Sequence, residues 1–108
     1  MTQISREETK DKLCLTVLGH CDAGRINGLD LCCCAVSMLV FTLMESLKKL
    51  NLSSPEISYG GGWCLVRFSN KSKDYEKAKI ITDTVMTGFL LLEKSYPSSV
   101  CILKEAEK

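Results

Sequence analysis

Histidine is almost missing from this chain: His20 is the only one among 108 residues. Any chemistry that runs through an imidazole must therefore use that one position. Proline occurs twice and tryptophan once, and no repeat, low-complexity tract or linker breaks the chain. Basic blocks are missing too. With 14 Lys and Arg against 13 Asp and Glu, the net charge is +1, so the clustered cations of a nucleic-acid footprint are not expected. No stretch reaches the roughly 20 apolar residues of a membrane span, because the most apolar run, residues 29–47, carries Asp30 and Glu45. The start, MTQISREETKDK, is too polar for a secretory signal. These absences lead us to expect a cytoplasmic protein without a membrane segment.

Cysteine, by contrast, is abundant. Seven is an odd number, and the spacings do not suggest a disulfide framework, so reduced thiols are expected. Most fit as small buried hydrophobes, and at least one is a candidate for chemistry. A chain of this length, 45% hydrophobic and 25% charged, suits one domain, residues 1–108, with a modest core.

Apolar periodicity lays out the elements. Residues 2–6 form a short strand and residues 7–12 a charged turn. Residues 13–18 alternate as a strand, with Leu13, Leu15 and Val17 on one side. Gly19-His20 ends it, and residues 21–29, with Gly24 and Gly28, read as a flexible loop. Asp30 opens a helix whose buried face is Val36, Val40, Leu43, Leu47 and Leu50. After a break at residues 51–55, strands at 57–59 and 63–68 join through Gly60-Gly61-Gly62 as a hairpin. A second helix runs from about residue 74 to 95, with Ala78, Ile81, Val85, Phe89 and Leu92 inward, and Tyr96-Pro97 stops it. Residues 100–104 are a last strand. The order ββαββαβ predicts a two-layer α+β domain, with both helices on one face of a mostly antiparallel sheet.

His20 sits at a strand end, and Cys33 falls thirteen residues later in the first turn of a helix. A thiol attacks as its thiolate. Two features favour that form here: the partial positive charge of first-turn N–H groups, and a nearby histidine that takes the proton and later returns it to a leaving amine. Periodicity cannot choose among Cys32, Cys33 and Cys34, since neighbouring helical residues point about 100° apart. Asp30 suits an N-cap, with orientation of His20 as the alternative. Ser37 lies one turn after Cys33 on the same face. Zinc is the competing use of the cysteines, but only Cys-x-Cys is present where Cys-x-x-Cys pairs are usual; no metal or cofactor is expected. Gly60-Gly61-Gly62 lacks the context of a phosphate loop. Trp63, Tyr59 and Phe68 fit as sheet packing, or as an aromatic patch for an apolar substrate or a second subunit. The Leu90-Leu91-Leu92 run is broader than one buried stripe requires.

Gly19-His20-Cys21, a glycine-containing loop, and then Asp30-Leu31-Cys32-Cys33-Cys34-Ala35-Val36-Ser37 resemble the ribosomal-processing cysteine protease family, Prp. The resemblance spans nearly the whole chain. It implies His20 and Cys33 as the catalytic pair, with Asp30 and Ser37 as supporting residues; the loop with Gly24 and Gly28 reads as a substrate gate because its glycines permit motion and it joins the pair. It also implies a homodimer with a two-layer α+β fold. The implied substrate is the N-terminal extension of large-subunit ribosomal protein twenty-seven, cut after an aromatic residue through an acyl-enzyme. The chain departs from the family pattern at Cys21, Cys32 and Cys34, where alanine, valine and alanine are usual. A non-enzymatic ribosome-associated binding protein is the alternative function.

Overall fold

The alternation at residues 13–17 sets the sheet's orientation. Leu13, Leu15 and Val17 are buried, while Cys14 and Thr16 between them are only half-buried. In the computed structural model, which describes residues 1–103, seven elements follow in order: β1 (Thr2–Glu8), β2 (Lys12–Leu18), α1 (Leu31–Lys48), β3 (Glu56–Gly60), β4 (Trp63–Ser69), α2 (Tyr75–Ser95) and β5 (Val100–Ile102). The strands form one sheet in the order β3-β4-β2-β1-β5. Every neighbouring pair is antiparallel except β1 with β5, which is parallel. Ile4, the β2 trio, and Cys64, Val66 and Phe68 of β4 present one buried face. The inward residues of both helices complete the same core: Val36, Val40, Leu43 and Leu47 from α1, and Ala78, Val85 and Phe89 from α2. The α+β architecture expected from the element order is therefore present.

The helices lie against each other. A Cβ on Gly88 of α2 would come within 2.7 Å of Leu39 of α1, so a residue without a side chain permits their close approach. Leu50 lies beyond the end of α1 but still packs on the core, and Thr82 is buried in α2 with its hydroxyl donating to the Ala78 carbonyl at 2.8 Å. Over its 18 residues α1 has a mean hydropathy of 1.7, long and apolar enough to cross a membrane by length and composition. One third of that window is buried within the chain, and that face carries the core contacts.

Two boundaries differ from the sequence reading. β1 runs on to Glu8, so Glu7 and Glu8 pair with Cys14 and Leu13 instead of forming part of a charged turn. The Glu8 charge is tolerated in a strand because α2 supplies its partners. The Glu8 carboxylate accepts from Lys79 Nζ at 2.8 Å and from the Tyr75 hydroxyl at 3.0 Å, and Arg6 Nε donates to Asp83 at 2.8 Å. The last strand ends at Ile102, and position 104 of the expected strand lies outside the described residues.

Candidate active site

Three chain ends converge at one edge of the sheet: the start of β1, the end of β2 and the start of β4. Gly19 N–H donates to the Gly62 carbonyl at 2.7 Å, and the buried Thr2 hydroxyl donates to the Gly19 carbonyl at 3.2 Å. His20 follows and is held against the β3–β4 turn. Gly62 has φ 79°, and a Cβ there would approach His20 Nε2 to 2.8 Å. Only glycine both turns the chain in this way and leaves room for the imidazole.

Cys33 reaches the same place from the other side. Asp30 is the N-cap of α1, and its Oδ1 accepts the Cys33 N–H at 2.9 Å. Its Oδ2 accepts the Ala23 N–H at 3.2 Å. One carboxylate therefore binds the loop after His20 to the helix turn that carries Cys33. Both oxygens are engaged by backbone donors, which gives Asp30 the capping and clamping role rather than contact with the imidazole.

His20 and Cys33 line one cleft of about 150 Å³, together with Ser37, Phe41, Tyr59 and Trp63. Phe41 and Tyr59 meet edge to face, with ring centroids 5.2 Å apart, and all three aromatic side chains are substantially exposed. A second, shallower depression lies on the far side of Cys33, lined by Arg25, Leu29, Cys34 and Met38. Cys33, Ser37 and Phe41 line both. They follow one another at four-residue steps along α1 and form the ridge between the two depressions. Phe41 was not singled out in the sequence; its i+8 position from Cys33 was the available signal.

The loop from 21 to 29 is more regular than a flexible connection. Asn27 and Gly28 have φ 53° and 81°, and Ile26 and Leu29 exchange backbone hydrogen bonds of 2.8 and 3.0 Å. This is the tight turn that Asn-Gly favours, and Arg25 Nη1 donates to the Gly28 carbonyl at 2.8 Å. Gly24, at φ 96°, lies in a separate depression beside Cys32 and Tyr96. Neither glycine lines the His20–Cys33 cleft.

Burial pushes the Cys33 thiol above its ordinary value, and the neighbouring Cys21 and Asp30 groups add to the rise. The backbone N–H of Cys21, bonded toward the sulfur, works in the other direction. Cys32 is pushed up to about 12, first by burial and then by its hydrogen bond with the Cys21 thiol. Burial takes Cys64 up to about 11. Thus the helix start does not leave Cys33 as a standing thiolate, contrary to the simplest expectation. The Cys33 N–H is occupied by the Asp30 carboxylate, and the Cys34 N–H donates to the Asp30 carbonyl at 3.0 Å. Among the described residues no group of three or more His, Cys, Asp or Glu side chains is arranged to hold a metal ion.

Known proteins share this fold. Residues 1–101 match the family described as cysteine protease Prp. The essential ribosomal processing protease Prp of Staphylococcus aureus, solved with a covalently linked product peptide, is 22% identical with a TM-score of 0.79, covering 98% of this chain and 100% of that one. The same protein with a substrate peptide gives 17% identity and a TM-score of 0.72 over the same shares. SMU.848 of Streptococcus mutans is 22% identical with a TM-score of 0.68, over 100% of this chain and 99% of that one. No curated protein matches.

Proposed function

Because the chain belongs to the family of the cysteine protease Prp, we propose that it removes the N-terminal extension of large-subunit ribosomal protein twenty-seven, with Cys33 as nucleophile and His20 as general base. The observation that carries this reading is the single cleft lined by the only histidine and by the cysteine of the α1 first turn. Cys33 rests as a thiol, so its proton must leave as it attacks. His20 takes that proton while the sulfur adds to the scissile carbonyl, and the Cys21 N–H bonded toward the sulfur favours the anion in transit. His20 then protonates the leaving amine, and water released through the same base hydrolyses the acyl-enzyme.

The substrate strand crosses the ridge of Cys33, Ser37 and Phe41. An aromatic side chain before the cut fits the side of the cleft bordered by Phe41, Tyr59 and Trp63, and the residues after the cut lie toward Met38 and Arg25. The loop from 21 to 29 covers this second side and acts as the gate. The protein works in the cytoplasm as a homodimer without a cofactor. In the test, Cys33→Ala and His20→Ala are each incubated with a peptide carrying the extension. Each variant should lose at least about a thousandfold in cleavage rate while keeping the wild-type circular dichroism spectrum. Cleavage by Cys33→Ala at the wild-type rate rejects the assignment.

A further inference from the structure

We propose that Cys21 is a resolving thiol for Cys33: a hydroperoxide oxidises Cys33, and Cys21 captures the product as a reversible intramolecular disulfide. The proposal rests on the reading of Cys33 as the reactive thiol. Its origin is a cluster of sulfurs that the cleavage chemistry does not use. Cys21 is buried directly after His20, with its Sγ 3.2 Å from the Thr2 hydroxyl. It shares the core with Cys32, and Cys33 packs against that core, with the Cys21 backbone N–H bonded toward the Cys33 sulfur. Asp30 binds Ala23 N–H and Cys33 N–H through one carboxylate, which keeps the backbone at 21–23 beside the turn at 32–33.

Geometry selects the partner. Cys33 is the half-exposed thiol in the cleft, whereas Cys21 and Cys32 are buried. Cys34 is more exposed still, but Cys33 lines the cleft beside His20, a base that can take its proton, so a peroxide entering the cleft reacts with Cys33. Cys32 and Cys34 cannot resolve it. Neighbouring α-carbons are about 3.8 Å apart across a trans peptide, below the roughly 4.4 Å lower bound of ordinary disulfides, and α1 holds them in helical geometry. Cys64 also lines the cleft but sits on β4, without the shared carboxylate that joins the Cys21 segment to Cys33.

The chemistry balances in two steps. Cys33 gives its proton to His20 and its sulfur attacks one oxygen of hydrogen peroxide; the O–O bond breaks, an S–O bond forms, and the second oxygen leaves as hydroxide and takes that proton back from His20 as water. The Cys21 sulfur then attacks the Cys33 sulfenic acid, an S–S bond forms, and water leaves. Two thiols supply the two electrons that the peroxide accepts. The bridge withdraws the nucleophile and shields it from the irreversible sulfinic state until an external dithiol reduces it.

The test treats the full chain with a small molar excess of hydrogen peroxide, enough for two successive oxidations of one thiol, after removal of reductant, followed by mass mapping without reduction. The wild type should lose two hydrogens and yield a cross-linked pair of peptides whose fragmentation assigns the bridge to Cys21 and Cys33, and dithiothreitol should restore both thiols. Cys21→Ala and Cys21→Ser should instead gain two oxygens on Cys33 that dithiothreitol does not remove. A bridge from Cys33 to Cys64, or Cys33 sulfinic acid in the wild type without a bridge, overturns the proposal. Because the bridge is read by mass, its absence is distinguishable from failure of the cleavage reading, which the peptide assay decides separately.

Discussion

At the scale of single residues, Asp30 has two opposed effects. Its carboxylate joins the loop to α1 through two backbone hydrogen bonds, and its negative charge helps hold the Cys33 thiol above its ordinary value. Asp30→Asn separates the two. An asparagine caps a helix nearly as well as an aspartate, but its amide nitrogen must face one of the two N–H donors, at a cost on the order of 1 kcal/mol. Removing the charge lowers the Cys33 thiol toward its ordinary range. The alkylation rate of Cys33 by iodoacetamide should then climb at lower pH than in the wild type, while the urea midpoint falls. An unchanged pH profile would mean that Asp30 has no electrostatic hold on the sulfur. Pattern and spacing brought His20, Cys33, Asp30 and Ser37 to notice because all four lie within eighteen residues. Phe41 escaped notice, and Gly62 was read only as part of a hairpin turn, for a different reason. Each matters through contact with a distant segment, Phe41 with Tyr59 and Gly62 with the His20 ring, and no local pattern encodes that meeting.

At the scale of elements, the clearest departure from the sequence reading was β1, and it has a measurable consequence. Glu7 and Glu8 looked like turn residues because charges are scarce in strands. The residues that make Glu8 acceptable, Tyr75 and Lys79, stand on α2 nearly seventy positions away. Strand lengths elsewhere followed local alternation closely, whereas the strand order and the parallel pairing of β1 with β5 are long-range and left no local mark. The hydrogen bonds from Lys79 and then Tyr75 hold the Glu8 carboxyl below its ordinary value. A depressed carboxyl stabilises the fold fully above the ordinary carboxylate range, and the contribution fades as pH falls through the lowered folded value. Glu8 is about one-third exposed, so solvent screening limits its effect to a few tenths up to about 1 kcal/mol. Glu8→Gln should be less stable than the wild type by that amount at neutral pH, and the two denaturation curves should converge as the solution becomes more acid. A gap that stays constant with pH would assign the loss to packing instead of charge.

At the scale of the whole molecule, the two helices differ in what they leave uncovered. The exposed side of α1 borders the two depressions around Cys33, but the exposed side of α2 has no such role. Ile80 and Leu91 are 66% and 61% exposed, and with Thr84 and Thr87 they fall at steps of four, three and four along one line of the helix. The threonines do not make this line polar. The Thr84 hydroxyl donates to the Ile80 carbonyl at 2.7 Å and the Thr87 hydroxyl to the Asp83 carbonyl at 3.2 Å, which turns the hydroxyls inward along the helix and leaves the methyl groups beside Ile80 and Leu91. Leu90 widens the apolar surface on one flank. A second copy of α2 is the natural cover for the proposed homodimer, because a self-complementary stripe can bury itself across a two-fold axis. The double variant Ile80→Lys, Leu91→Lys places like charges across that axis and should sediment as a monomer under conditions where the wild type sediments as a dimer. Each protomer supplies both His20 and Cys33 to its own cleft, so the monomeric variant should still cut the ribosomal peptide. A wild type that sediments as a monomer at micromolar concentration would reject the dimer, and a monomeric variant that has lost cleavage would show that the partner subunit completes the site.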